Sequence, residues 1–222
     1  TLIRGVKVQP SPLSLQRRLQ AAGMRPINNI VDVTNYILLE WGQPLHAFDA
    51  DTLKDGLDIG VRFTSDKGKH KEKITTLDEQ ERELHPQNLL IVSGDVPVAI
   101  AGVIGGKDTE VSEKTQNIVL EAALFDQAVV RRSARAQGLR TEASSRYERG
   151  VNQSALETAC ARAAQMIVEV AGGNIIEQCQ ADRRNVMTRT IELRLSRVQQ
   201  ILGTIETTSG EEQDLPAEVV ET

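Results

Sequence analysis

Apolar residues recur at helical spacing in several parts of the chain. Ser11 and Pro12 suit the N-cap and first helical position of a helix that ends near Gly23. A second helix is expected over residues 28–40, with an asparagine as its cap and a glycine after its last turn. The clearest amphipathic pattern covers Leu156–Ala171. These segments predict helices that each bury one face.

Shorter apolar runs bounded by turn residues predict strands. Residues 1–9 alternate weakly, as in an edge strand, and residues 191–195 alternate more clearly. Residues 89–92 and 96–103 are separated by a Ser-Gly-Asp turn and pair most simply as a hairpin. The second of these strands runs into Gly105-Gly106, where positive φ angles and a close approach of ligand to backbone are possible, although an ordinary turn would look the same.

One nearly all-apolar run, residues 117–125, carries a carboxylate in its middle. With a period of two, Glu121 shares a face with Val119, Ala123 and Phe125, so it points into apolar surroundings. A buried carboxylate is costly without a partner, and burial raises its pKa. The alternative is a structural Glu at a strand end that reaches an arginine or solvent.

Composition narrows the class of protein. The chain has 222 residues, 40% of them hydrophobic, with a net charge of −5 and a pI near 5.4. This acidity argues against a nucleic-acid binder held by bulk charge. Cys160 and Cys179 make neither a disulfide framework nor a metal-ligand set. Without a signal peptide or a membrane-length apolar run, we expect a soluble, cytoplasmic protein, and a start at Thr1 suggests part of a longer polypeptide.

Two further features have a structural and a functional interpretation. His46 lies in an apolar segment, where a histidine is more often structural than catalytic. Residues 131–149 hold six arginines against Glu142 and Glu148, an excess of four positive charges that suits phosphates or a solvated helix face with salt bridges. The segment 65–73 is basic and is expected to be a solvated hairpin tip.

Several motifs in order resemble one family. They are residues 25–36, residues 42–49, residues 99–106, the strand of Glu121 and residues 140–151. Together they are similar to the B3/B4 region of bacterial phenylalanyl-tRNA synthetase β subunits, over about residues 1–190. Residues 191–222 resemble the start of the next module in that family, called B5, or form a poorly ordered tail, since residues 207–222 have five acidic and no basic side chains.

The resemblance implies a mixed α/β fold, with largely antiparallel sheets and helices around an editing cleft. It implies hydrolysis of tyrosine wrongly esterified to the phenylalanine tRNA, on the 3′ end of that tRNA. It also implies an α-subunit partner in an α2β2 assembly, no cofactor in this part of the protein, and ATP and Mg²⁺ for the whole synthetase. The candidate residues fall into a catalytic set (Thr34, Asn35, His46, Thr141), a substrate-binding set (Gly105, Glu121, Ala143) and an RNA-binding set from the basic segment (Arg140, Arg146, Arg149).

Elementary chemistry explains why such an editing site would need the carboxylate of Glu121. A carboxylate that accepts the phenol O–H of tyrosine would favour tyrosine over phenylalanine, which leaves the carboxylate unsatisfied. Ala143 would leave room for the ring, and a positioned water would attack the ester. Two alternatives stay open: a non-catalytic structural module of the synthetase, and a general RNA-binding module.

Overall fold

The structure is a computed structural model that describes residues 1–54, 57–65, 72–182, 190–206, 210 and 212–214. Most of the basic segment 65–73 and of the acidic segment 207–222 lies outside the described residues. The chain divides into two compact units, Thr1–Cys179 and Gln180–Thr222. Each unit is described by itself.

The first unit contains strands and helices in mixed order. Its described strands are β1 (Leu2–Arg4), β2 (Leu45–Asp49), β3 (Ile59–Phe63), β4 (Lys73–Thr75), β5 (Glu81–Glu83), β6 (Leu89–Ser93), β7 (Val96–Ile100), β8 (Ile104–Gly105), β9 (Asn117–Ala122) and β10 (Asn174–Glu177). Its described α-helices are α1 (Leu13–Ala21), α2 (Asn29–Trp41), α3 (Gln127–Ala136), α4 (Glu142–Tyr147) and α5 (Leu156–Ala171).

The first sheet has the order β10–β1–β9–β2, and each neighbouring pair is antiparallel. One face packs against α1, α2 and α5 in a core that includes Ile3, Ile118, Leu120 and Ile167. The sequence prediction of an edge strand at the N-terminus is wrong, because β1 lies between β9 and β10. The weak alternation gave no sign that this strand has a hydrogen-bonded neighbour on each side.

The second sheet has the order β3–β6–β7–β8, again antiparallel. One of its faces, through Ile91 and Ala99, packs on Phe48 of β2 and Val119 of β9. Its other face packs against Val130 of α3 and other apolar residues. The unit therefore stacks helices, two sheets and further helices, and the mixed, largely antiparallel fold class expected from the sequence is confirmed.

The hairpin predicted after residue 89 forms, but its second strand is shorter than expected. β7 ends at Ile100, and a turn through Gly102, with φ of +68°, leads back into β8. Val103 closes this turn by donating its N–H to the carbonyl of Ile100 at 2.9 Å. The prediction of one strand to residue 103 is wrong because a left-handed glycine reverses the chain there.

Helix caps follow the sequence in two places and depart from it in one. Asn28 accepts hydrogen bonds from the N–H groups of Ile30 and Val31, and Asp126 accepts one from Val129. Ser11 does not cap α1. Its hydroxyl donates to the buried carboxylate of Asp32 at 2.6 Å, and Pro12 takes the cap position without a side-chain bond. Ser11 therefore bonds to a residue that is distant in the sequence instead of to the first turn of α1.

The second unit is small in its described part. It contains α6 (Leu195–Leu202) and an antiparallel pair, β11 (Thr204–Glu206) and β12 (Glu212–Asp214). The strand predicted over residues 191–195 does not form: residues 190–194 have no regular structure and residue 195 begins α6. Among the described residues, no helix is long and apolar enough to cross a membrane.

Candidate functional site

A cleft in the first unit lies where β2 and β9 of the first sheet meet β7 and β8 of the second. Its inner cavity, of about 80 Å³, is lined by Glu121, Ala99, Ile100 and Tyr147 among others. Its outer part, of about 400 Å³, is bordered by Thr34 of α2 and by other polar residues. The two parts share seven wall residues: Pro44, Leu45, His46, Val103, Ile104, Gly105 and Ala143.

Glu121 and His46 are direct cross-strand partners in the antiparallel ladder of β2 and β9. Such partners point to the same face of a sheet, with Cβ atoms roughly 4.5–5.5 Å apart. The face they share is the one that carries Phe48 and Val119, opposite the helices. The ladder therefore brings a carboxylate and an imidazole together in the inner cavity.

The carboxylate of Glu121 has no hydrogen bond or ion pair within the part of the chain that the structure describes. Glu121 as a whole is half-buried and keeps some surface open to the cavity. Protein atoms surround its carboxyl group, however, and this burial raises the pKa of Glu121 to about 7 from an ordinary 4.5. The alternative in which an arginine pairs with Glu121 finds no support in these contacts. A hydroxyl that enters the cavity would meet an unpaired carboxyl group.

The imidazole of His46 is held by packing rather than by hydrogen bonds. Its ring meets Phe48 edge-on, with centroids 4.4 Å apart. Its Nε2 atom is buried and has no partner among the described residues. Burial lowers the pKa of His46 to about 4, so the ring is neutral at neutral pH. A neutral imidazole with a free nitrogen can donate to or accept from a water or an ester oxygen.

Gly105 is required by the space that His46 occupies. A Cβ atom on Gly105 would lie 2.4 Å from Cε1 and 2.7 Å from Nε2 of the His46 ring. The sequence left positive φ angles open at Gly105 and Gly106, but neither residue is among the glycines with positive φ. At Gly106 the limit is also space, because a Cβ there would lie 2.6 Å from the carbonyl oxygen of Val98.

The other catalytic candidates border the outer part of the cleft. Thr34 donates its hydroxyl to the carbonyl of Val31 at 2.8 Å, within its own helix. Thr141 caps α4 and donates to the carbonyl of Val103 at 2.7 Å. The amide of Asn35 has no partner in the described ranges and is half-buried at the cleft. Of these three side chains, Asn35 is the freest to bind a ligand.

Ala143 lies in the shared wall, so its small side chain sets the width of the passage between the inner and outer parts. The arginine candidates lie nearby but differ in their contacts. Arg140 and Arg149 are exposed, whereas Arg146 is bound to Glu142 at 2.6 Å, one turn earlier on α4. The salt-bridge interpretation of the basic segment holds for Arg146. Arg140 and Arg149 remain open to solvent.

Two residues near the cleft were not singled out by sequence reasoning. The Tyr147 hydroxyl lies 3.1 Å from the carbonyl oxygen of Ala123 and 3.3 Å from that of Pro44. The amide of Gln43 donates to the same two carbonyls, each at 3.0 Å. These bonds tie the start of β2 to the chain just after β9. Burial raises the pKa of Tyr147, and the nearby charge of Glu121 raises it further.

Comparison with known proteins decides the family. The profile of the B3/4 domain matches residues 1–172. The chain belongs to the B3/4 domain family.

Curated relatives of this B3/4 domain are phenylalanine–tRNA ligase β subunits. The one from Synechocystis sp. is 57% identical over 216 residues, which cover 95% of this chain and 26% of the relative. Those from Thermosynechococcus vestitus and Trichormus variabilis are 55% and 54% identical over 222 and 229 residues. They cover 98% and 100% of this chain but 26% and 28% of the relatives. The chain thus spans about a quarter of the length of these relatives.

Proposed function

We propose that this chain is the editing part of a phenylalanine–tRNA ligase β subunit, and that it hydrolyses tyrosyl esters of the phenylalanine tRNA. The observation that carries this proposal is the unpaired, buried carboxyl group of Glu121 in a small apolar cavity beside a neutral His46. The similarity to β subunits of that ligase supplies the context.

Selection of tyrosine rests on the cost of an unsatisfied polar group. The side chain of the ester enters the inner cavity past Ala143, and its phenol hydroxyl bonds to Glu121. With a pKa of about 7, that carboxyl group accepts the phenol O–H when ionised and can also donate to the phenol oxygen when protonated. Phenylalanine offers neither partner. A lost bond to a charged group costs about 1.5–3 kcal/mol, which corresponds to a preference of about tenfold to a hundredfold.

Hydrolysis takes place at the shared wall, where the ester carbonyl lies beside His46. The low pKa of His46 makes it a weak base, so its task is to orient the water or the ester through Nε2. Gly105 keeps the ring in place by leaving it room. Asn35, Thr34 and Thr141 border the outer part, where the terminal ribose lies. Direct attack by a positioned water needs no protein nucleophile.

The whole protein supplies the rest of the reaction. We infer that an α subunit carries aminoacylation with ATP and Mg²⁺ in an α2β2 assembly in the cytoplasm, and that the tRNA reaches this site by its 3′ end. Arg140 and Arg149 are exposed and suited to its phosphates. In the described residues, no group of three or more His, Cys, Asp or Glu side chains is placed to hold a metal ion.

A deacylation assay on the assembled ligase tests the proposal. Tyrosyl-tRNA and phenylalanyl-tRNA are compared for the wild type, Glu121→Ala and Glu121→Gln. Glu121→Ala should reduce the preference for tyrosine by about tenfold to a hundredfold, and Glu121→Gln, which keeps an acceptor oxygen, should lie between. An equal fall for both esters with a lower melting temperature would make Glu121 structural. No hydrolysis by the wild type would favour a non-catalytic module.

A further inference from the structure

A hairpin outside the two sheets closes one side of the cleft. β4 and β5 pair antiparallel, and the residues between them reach the wall beside His46. Leu77 donates its N–H to the carbonyl of Gly105 at 3.1 Å, and Thr76 forms an isolated bridge with Gly106. The next residue, Asp78, borders the outer part of the cleft. The hairpin tip is therefore anchored to Gly105, which borders the imidazole, and to its neighbour Gly106.

Two hydrogen bonds hold the carboxylate of Asp78 in place. One oxygen accepts from the hydroxyl of Thr76 at 2.5 Å, and the other accepts from Nη2 of Arg82 at 2.5 Å. Arg82 is fixed in turn by a bond to the carbonyl of Gln137 at 3.2 Å. The side chain of Asp78 remains 39% exposed, and the bond from Thr76 lowers its pKa, so it stays ionised at neutral pH. Each carboxylate oxygen can accept a further hydrogen bond.

The outer part of the cleft offers acceptors for a cation. Its lining includes the carboxylates of Asp78 and Glu142 and no lysine or arginine, as far as the described residues extend. His46, in the same wall, is neutral. Each carboxylate is paired with an arginine, but Glu142 is 69% exposed, whereas Asp78 is 39% exposed and follows Leu77, which is bonded to Gly105. Asp78 is thus the less exposed anion and the one next to the wall that the two parts of the cleft share.

The position of a bound ester follows from the proposed function, on which this inference rests. With the ring in the inner cavity and the carbonyl beside His46, the α-carbon lies at the shared wall. Its ammonium group then projects into the outer part. We propose that Asp78 binds the α-ammonium group of the aminoacyl ester. The substrates of this site are accordingly esters with a free amine, and esters that lack the positive charge are poor substrates.

The test uses two esters of the same tRNA that differ in one group. The first is tyrosyl-tRNA, and the second is its hydroxy-acid analogue, in which a hydroxyl of similar size replaces the ammonium. Hydrolysis by the assembled ligase is divided by the uncatalysed rate of each ester. The proteins compared are the wild type, Asp78→Asn and, as the matched control, Glu142→Gln, which removes the other carboxylate of the same wall.

The wild type should favour the amino ester by up to about fivefold, as for an ion pair at a partly exposed carboxylate. Asp78→Asn should remove this preference by slowing hydrolysis of the amino ester alone, and Glu142→Gln should keep it. If Asp78→Asn acts only by breaking the ion pair with Arg82, it would slow the hydrolysis of both esters equally, and that result overturns the proposal. Equal hydrolysis of both esters by the wild type would overturn the inference about Asp78 but would leave the proposed function intact. If the wild type hydrolyses neither ester, the proposed function fails and this inference fails with it.

Discussion

Replacing Glu121 by Gln should change how the stability of the protein depends on pH. Burial raises the pKa of Glu121 to about 7 in the folded state, against an ordinary 4.5. The folded state therefore holds a proton that the unfolded state has already lost, and stability falls as pH rises from the lower value to the higher. The two pKa values correspond to about 3 kcal/mol of unfolding free energy, lost in full above the folded pKa.

The Glu121→Gln variant has the same shape but cannot ionise, so it escapes this loss. Urea unfolding should give similar stabilities near about pH 4 and a variant more stable by about 3 kcal/mol near about pH 8. The fall in His46 pKa has the opposite sign, destabilising the protein as pH drops from 6.5 towards 4, and it cancels in the difference because both proteins contain His46.

A matched control is Glu142→Gln, which removes a carboxylate that is 69% exposed at the same cleft. Its stability relative to the wild type should vary far less with pH. A difference between Glu121→Gln and the wild type that is constant from acid to alkaline pH would refute the reasoning. It would mean that water reaches the carboxyl group and that burial does not hold its proton.

Other predictions concern the walls of the cleft. Gly105→Ala should displace the His46 ring, cost about 1–3 kcal/mol as overpacking does, and reduce deacylation; full activity and an unchanged melting temperature would contradict this. His46→Ala should slow deacylation without loss of folding, and unchanged hydrolysis would make the ring structural. Ala143→Trp should block hydrolysis of the tyrosyl ester but spare charging by the ligase, and a loss of both would move the site elsewhere. Tyr147→Phe should lower the unfolding free energy by about 1 kcal/mol more than the control Tyr36→Phe, because the hydrogen bonds of the Tyr36 hydroxyl are exposed; equal effects would count against the buried hydrogen bonds of Tyr147.

The orientation of Glu121 could be predicted from the sequence, because alternation along a strand is a local property. Ile118 and Leu120 face the helices, while Val119 and Glu121 face the other sheet. The strand is shorter than its apolar run suggests, since it ends at Ala122. The raised pKa of Glu121 needed more than alternation: it depends on how deeply the carboxyl group is buried and on which side chains the rest of the cavity wall supplies, and only the packing of both sheets decides this.

The sequence around Gly105 could not show why this position needs a glycine. Adjacent glycines suggest special backbone angles, and the structure instead shows a lack of room beside His46. The ring that fills this room comes from β2, on the other sheet. Tyr147 is a similar case. Its hydroxyl is satisfied by carbonyls 24 and 103 residues away, and its polar neighbours in the chain gave no sign that it is buried.

The group proposed for recognition and the group proposed for hydrolysis lie in one ladder. His46 and Glu121 are opposite each other in a single antiparallel pair, so a shift of β2 by one residue would turn His46 to the helical face while Glu121, on β9, stayed in the cavity. Gln43 and Tyr147 bind the chain at the open end of that pair and resist such a shift. A register shift would therefore separate the imidazole from the carboxyl group. Changes to single side chains can test the two proposed functions one at a time, because Glu121 lies in the inner cavity and His46 in the wall that both parts share.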